Sequence, residues 1–83
     1  MTQADDIRRY VIDHKISPAC QQDQNMVTVF AREIHAEMRL KAPVVAVCRA
    51  LDDPEFLKMA GVRLLERSGK KRSPKSKWVF GIE

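Results

Sequence analysis

The chain reads as a small α+β domain, with helices first and a two-stranded hairpin last. Three observations predict this. Apolar residues recur at helical spacing through residues 4–16 and 31–38. They alternate with period two at 62–66 and again at 78–82. Between those two alternating stretches lies a loop containing Gly69, Pro74 and a run of basic residues, the composition of a hairpin connection.

Eighty-three residues suffice for one domain, 1–83, with a core that is adequate but not generous. A hydrophobic content of 45% is ordinary for a globular chain. The longest apolar run, residues 42–48, is far too short to span a membrane. The first residues lack the basic-then-apolar order of a signal peptide, so a cytoplasmic protein is expected, nucleoid-associated if the source is prokaryotic. Cys20 and Cys48 are expected to be free thiols. With His14 and His35 they lack the paired short spacings of a zinc module, so neither metal nor cofactor is expected.

Along the chain, Ala4, Ile7, Tyr10 and Val11 form the apolar stripe of a first helix. Thr2 is placed to cap it, and Asp5 and Asp6 sit where the helix dipole favours negative charge. Ser17-Pro18 is expected to end it, with an irregular polar stretch from 17 to 25 that holds at most one turn of helix. Residues 26–29 suit a short strand that pairs with the later hairpin. Residues 31–38 carry Ala31, Ile34 and Met38 on one face and Arg32, Glu33 and Glu37 on the other, an amphipathic helix. Residues 42–51 suit a buried strand by propensity. Helix is favoured because Pro43 fits a first turn and Val45, Cys48 and Leu51 are spaced as a stripe. Asp53-Pro54-Glu55 places cap, proline and acid in order, Phe56, Leu57, Met59 and Ala60 supply a buried side, and Gly61 stops the helix. Val62 and Leu64 then share one face of a strand, and Trp78, Phe80 and Ile82 share one face of its partner, which assigns Trp78 to the core.

The core order is helix, short strand, helix, helix, then strand, long basic loop and strand. In this the chain resembles the winged helix-turn-helix domains, from about residue 4 to residue 82. Ile34, Met38, Leu40, Val45 and Cys48 stand at the apolar positions of that motif. His35 stands where a small residue usually lets the helices approach, and Arg39 stands where glycine usually takes a left-handed backbone. The resemblance implies a three-helix core, a small antiparallel sheet, a basic hairpin wing and binding to double-stranded DNA, as a transcriptional regulator or accessory DNA-binding protein. It also implies that Lys41, Ala42, Pro43, Ala46 and Val47 face outward, with Arg49 at the flank. Only Lys41 and Arg49 of these carry hydrogen-bond donors, so base readout is expected to be weak.

The charge distribution points the same way. Residues 67–77 hold six of the fifteen basic residues and no acid, whereas the rest of the chain has nine basic against eleven acidic residues, a net of −2. The candidate phosphate contacts are Arg67, Lys70, Lys71, Arg72, Lys75 and Lys77, together with the hydroxyls of Ser73 and Ser76. The Ser73-Pro74-Lys75-Ser76 portion is similar to the Ser-Pro-Lys-Lys motifs of histone tails, which lie in the minor groove of A/T-rich DNA, with the second lysine displaced onto Lys77. Contact with four to six phosphates implies a log–log salt slope of about −4 to −5. No nucleophile–base pair, glycine-rich phosphate loop or carboxylate pair suggests an enzyme. The competing expectation is a protein-interaction module, dimerising or binding a partner through the apolar face formed by Ala42, Pro43, Ala46 and Val47.

Overall fold

In the computed structural model, which describes residues 2–69 and 75–82, the chain opens with a helical run in three parts. α1 is Gln3–Val11, a π-helical turn covers Ile12–Ile16, and α2 is Ser17–Gln21. Thr2 caps the run through a capping box. Its hydroxyl accepts from the Asp5 N–H at 3.2 Å, and the Asp5 carboxylate accepts from the Thr2 N–H at 3.4 Å. The stop expected at Ser17-Pro18 does not occur, and the π turn explains why. In an unbroken α-helix the Pro18 ring would collide with the His14 carbonyl. Here the Ser17 N–H reaches back to the Ile12 carbonyl, which adds one residue to that turn. Pro18 then falls in the first turn of α2, where its missing donor costs little.

The same turn corrects the packing phase. At ~100° per residue, Ile16 would point nearly opposite Ile7 in a regular helix. Inserting one residue turns Ile16 and Ala19 back toward the face of Ile7 and Val11, and all four are buried.

β1 (Met26–Phe30) runs directly into α3 (Ala31–Met38). α4 (Val45–Asp52), α5 (Pro54–Ala60), β2 (Val62–Ser68) and β3 (Lys77–Ile82) follow. The sheet is antiparallel in the order β1-β3-β2, so the last strand is central and the short strand pairs with the hairpin as expected. Val29 lies opposite Trp78 and Val27 opposite Phe80, which directs these side chains to the helices. Trp78, Phe80 and Phe56 are the largest fully buried side chains, and the two phenylalanine rings meet at 5.2 Å in a tilted pair.

α5 is a helix of its own, so a further helix joins the expected three-helix core. Its ends follow the sequence: Asp53 accepts from the Glu55 N–H at 2.9 Å, and Gly61 closes it with a left-handed backbone. Met59, expected on its buried side, is 42% exposed. On β2, Leu64 is also exposed, although Val62, expected on the same face, is buried; among the described residues no strand pairs with the outer edge of β2. A bulge places Leu65 outside the pairing between Leu64 and Glu66, and its side chain covers buried Gly81.

α4 departs most from expectation. It begins at Val45, not at residue 42, and Pro43 lies in the turn ahead of it. Val47, Cys48, Ala50 and Leu51 are all buried, an arc of about 160° at the helical period. Val47 therefore does not face outward. α4 is packed against α1, and Cys48 meets the base of the hairpin, so two neighbours bury more than a single stripe.

Candidate nucleic-acid interface

The elements that would meet a polyanion are the turn before α4, the exposed side of α4 and the β2–β3 hairpin. In the turn, Arg39 has φ 52° and ψ 47°, the left-handed conformation that its position in the sequence called for. The Arg39 N–H bonds the Ala36 carbonyl and the Leu40 N–H bonds the His35 carbonyl at 3.2 Å. The His35 ring, at Nε2, also lies 2.7 Å from the Ala42 carbonyl. Histidine in place of a small residue thus braces the turn from within. Lys41 and Arg39 project from it, both exposed.

On α4 the outward line is Val45, Arg49 and Asp52, four and three residues apart, with Val45 half-buried. Arg49 is exposed and, like Lys41, forms no ion pair among the described residues. Of the expected apolar face, Pro43 is exposed, Ala42 and Ala46 are half-buried, and Val47 is buried.

The base of the hairpin is built around Asp52, the last residue of α4. A carboxylate there opposes the helix dipole and calls for a compensating cation. Arg67 supplies it: Nε donates to Oδ1 at 2.8 Å and Nη2 to Oδ2 at 3.2 Å, a two-pronged contact. The same guanidinium donates to the Ser68 carbonyl at 2.8 Å and to Ser76 Oγ at 3.2 Å. Its central carbon stands 4.7 Å from the centre of the Trp78 ring. Trp78 Nε1 donates to Asp52 Oδ1 at 2.8 Å. The Asp52 bonds hold the Arg67 guanidinium still more firmly protonated than an ordinary arginine. Below this group the Cys48 thiol lies 3.6 Å from Ser76 Oγ, and the Ser76 carbonyl accepts the Ala31 N–H at 3.1 Å.

These contacts sort the expected phosphate ligands. Arg67, half-buried, is engaged with Asp52, Ser68 and Ser76, and Ser76 itself is fully buried. Both supply the base of the hairpin with donors and acceptors that the core itself does not provide. Lys77 is half-buried and pairs with Glu66 at 3.2 Å. Lys75 is exposed. Lys70, Lys71, Arg72 and Ser73 lie outside the described residues. Gly69 opens the loop at φ 89°, and a Cβ there would run into the Lys75 carbonyl, so the loop starts from a position that only glycine fills.

Two further ties set the helices. Arg8 donates from Nε to the Ala50 carbonyl at 3.0 Å and from Nη2 to Asp53 at 3.1 Å, holding α1 to the α4–α5 junction. Glu37 accepts from the Tyr10 hydroxyl at 2.7 Å and from Lys15 at 3.0 Å, holding α3 to the first helical run. Tyr10 also stacks on His14 at 4.2 Å.

Asp52 is the residue that sequence reasoning missed, and Arg39 was noted there for its backbone and not as an exposed cation near Lys41. The signal for Asp52 was its sign at a helix C-terminus, and the signal for Arg39 was its place beside Lys41. Among the described residues, no group of three His, Cys, Asp or Glu side chains converges as a metal site. No helix among them is long and apolar enough to cross a membrane. A scan against protein-family models matches no family, and searches of curated proteins and of solved structures find no match.

Proposed function

We propose that this chain is a winged-helix DNA-binding module, acting as a transcriptional regulator or accessory DNA-binding protein. It grips the duplex backbone through its basic hairpin loop and reads bases weakly. One observation carries the reading: the whole positive excess of the chain, Lys70, Lys71, Arg72 and Lys75, falls between two paired strands, on a body whose remaining charges cancel. Two supporting observations come from the helices. The strand order β1-β3-β2, with α3 and α4 joined by a turn that holds a left-handed residue, suits the winged-helix arrangement. The outward line of α4 offers one arginine and no amide side chain, which suits backbone contact better than base readout.

Arg67 and Lys77 are committed to Asp52 and Glu66. The phosphate contacts of this proposal are Lys70, Lys71, Arg72 and Lys75 in the loop, with Lys41 and Arg49 beside the helix. A titration of random-sequence duplex at two salt concentrations tests it. Binding that weakens steeply with salt is expected, and duplex binding that is absent, or insensitive to salt, contradicts it.

A further inference from the structure

β2 is an edge strand: β3 lies on one side of it, and among the described residues no strand pairs with the other. Such an edge offers backbone N–H and C=O groups to any extended chain, and proteins usually guard it with charged side chains or a bulge. On β2 the bulge has the opposite effect. The rungs shared with β3 are Arg63–Gly81, Leu64–Phe80 and Glu66–Val79, with Leu65 left out. Arg63 and Glu66, three residues apart in sequence, are therefore two rungs apart and on the same face of the sheet. An unbroken strand would set them on opposite faces. Leu64 sits midway between them on the ladder. Residues 63–66 are all exposed, Leu64 at 44% and Leu65 at 47%.

We propose that this edge pairs with a second copy of itself. Two chains join antiparallel at β2 about a two-fold axis at Leu64, and two three-stranded sheets become one continuous sheet. The spacing selects this partner. With Leu64 facing its own copy, Arg63 falls opposite the partner's Glu66, and Glu66 opposite the partner's Arg63. Each side of the axis thus carries one pair of opposite charges directly across the ladder. An edge of one sign would repel a second copy, whereas this one holds one charge of each sign, placed symmetrically about an exposed leucine. Leu64 and Leu65 supply apolar surface that the pairing removes from water. Both charged side chains also have contacts at home. Glu66 takes Lys77 at 3.2 Å, and Arg63 has an interaction within its own chain. The pairs between copies add to these contacts and need no vacancy. Neither the geometry nor its test involves DNA or the hairpin loop.

Analytical ultracentrifugation tests the pairing. The wild-type protein is expected to shift from monomer toward dimer between about 10 and 500 μM, because an interface of one strand pair is small and dissociates readily. Arg63→Glu places like charges at both pairs, and so does Glu66→Arg. Each variant alone is expected to dimerise at least about ten-fold more weakly. Mixed in equal amounts the two are complementary, since at both pairs an acid on one copy meets a base on the other. The mixture is expected to regain dimer to within about three-fold of the wild-type constant. Contacts that a variant loses within its own chain, the Lys77 pair included, are not restored by mixing, so recovery reports pairing between copies. Both substituted side chains are exposed, and circular dichroism checks that each variant is folded.

A wild-type protein that stays monomeric throughout overturns the proposal and leaves the edge to a strand of a different protein. Wild-type dimerisation by either variant alone, or a mixture that associates no more tightly than its components, overturns it as well. Hydrogen exchange on the wild type gives a second reading. The β2 amides that point away from β3 are expected to exchange more slowly as concentration rises, while those of the opposite edge, Met26–Phe30, are unchanged. Exchange on β2 that is independent of concentration overturns the proposal. Duplex binding, present or absent, alters none of these outcomes.

Discussion

Trp78 Nε1 donates to Asp52 Oδ1 at 2.8 Å, so the indole near the start of β3 is fastened to the last residue of α4. The same oxygen accepts from Arg67, which makes one carboxylate the meeting point of a helix and both strands of the hairpin. Asp52→Ala removes the acceptor and leaves a buried indole N–H and a guanidinium without it. A loss of about 2 kcal/mol is expected, measured by urea unfolding. A change below 0.5 kcal/mol, by the same ~1 kcal/mol scale of ordinary hydrogen bonds, would mean that water replaces the carboxylate at no cost.

Arg39 holds a left-handed backbone where glycine is the unstrained choice. Arg39→Gly is expected to stabilise the protein by about 1 kcal/mol by relieving that conformation. Denaturant unfolding measures this, and a destabilised variant would show that the arginine side chain holds the turn.

Gly69→Ala acts in the opposite sense. Both its φ and the nearby Lys75 carbonyl exclude a side chain, so the loop stem must shift. A loss of about 1–3 kcal/mol is expected. Gly61→Ala, with a similar φ and open space around it, is the matched control and is expected to cost about 1 kcal/mol.

Two depressed carboxyls, Asp5 on the first helical run and Glu37 on α3, make stability depend on pH. The Asp5 carboxyl is held below the usual range by its hydrogen bonds with Thr2, backbone first, and by Arg8. The Glu37 carboxyl is held below its usual range by the Tyr10 hydroxyl first, and then by Lys15. Carboxyls depressed in the folded state contribute stability above their unfolded values, about 4, and lose it as the pH falls through the folded ones. Melting temperature is therefore expected to be insensitive to these groups near neutrality and to drop below about pH 4. In Glu37→Gln the Glu37 part of that drop disappears. The variant melts below the wild type at pH 7, and the gap narrows in acid. A gap that is constant with pH would contradict the pairing.

The α+β class, the boundaries of α3 and the caps at Thr2, Asp53 and Gly61 were legible because each follows from local chemistry: periodicity, a capping side chain or a left-handed glycine. The continuation of the first helix through Pro18 was not. A proline after serine normally marks an end, and only the need to bury Ile16 and Ala19 beside Val11 reveals the inserted turn. Val47 was misplaced because a single stripe was assumed for a helix that packs on two sides. At the hairpin, charge alone made Arg67 look like Lys71 or Arg72. Its pairing with Asp52, fifteen residues earlier, depends on a tertiary approach that no local pattern encodes.

The central claim is that the hairpin loop supplies the grip on duplex DNA. The direct test is fluorescence anisotropy with a random-sequence duplex, comparing the wild type with a variant in which Lys70, Lys71, Arg72 and Lys75 are alanine. The wild type is expected to bind with a log–log salt slope of about −4 to −5. The variant, folded by circular dichroism, is expected to lose most of its affinity and about three to four units of that slope. Equal affinity and slope in the two proteins would contradict the account.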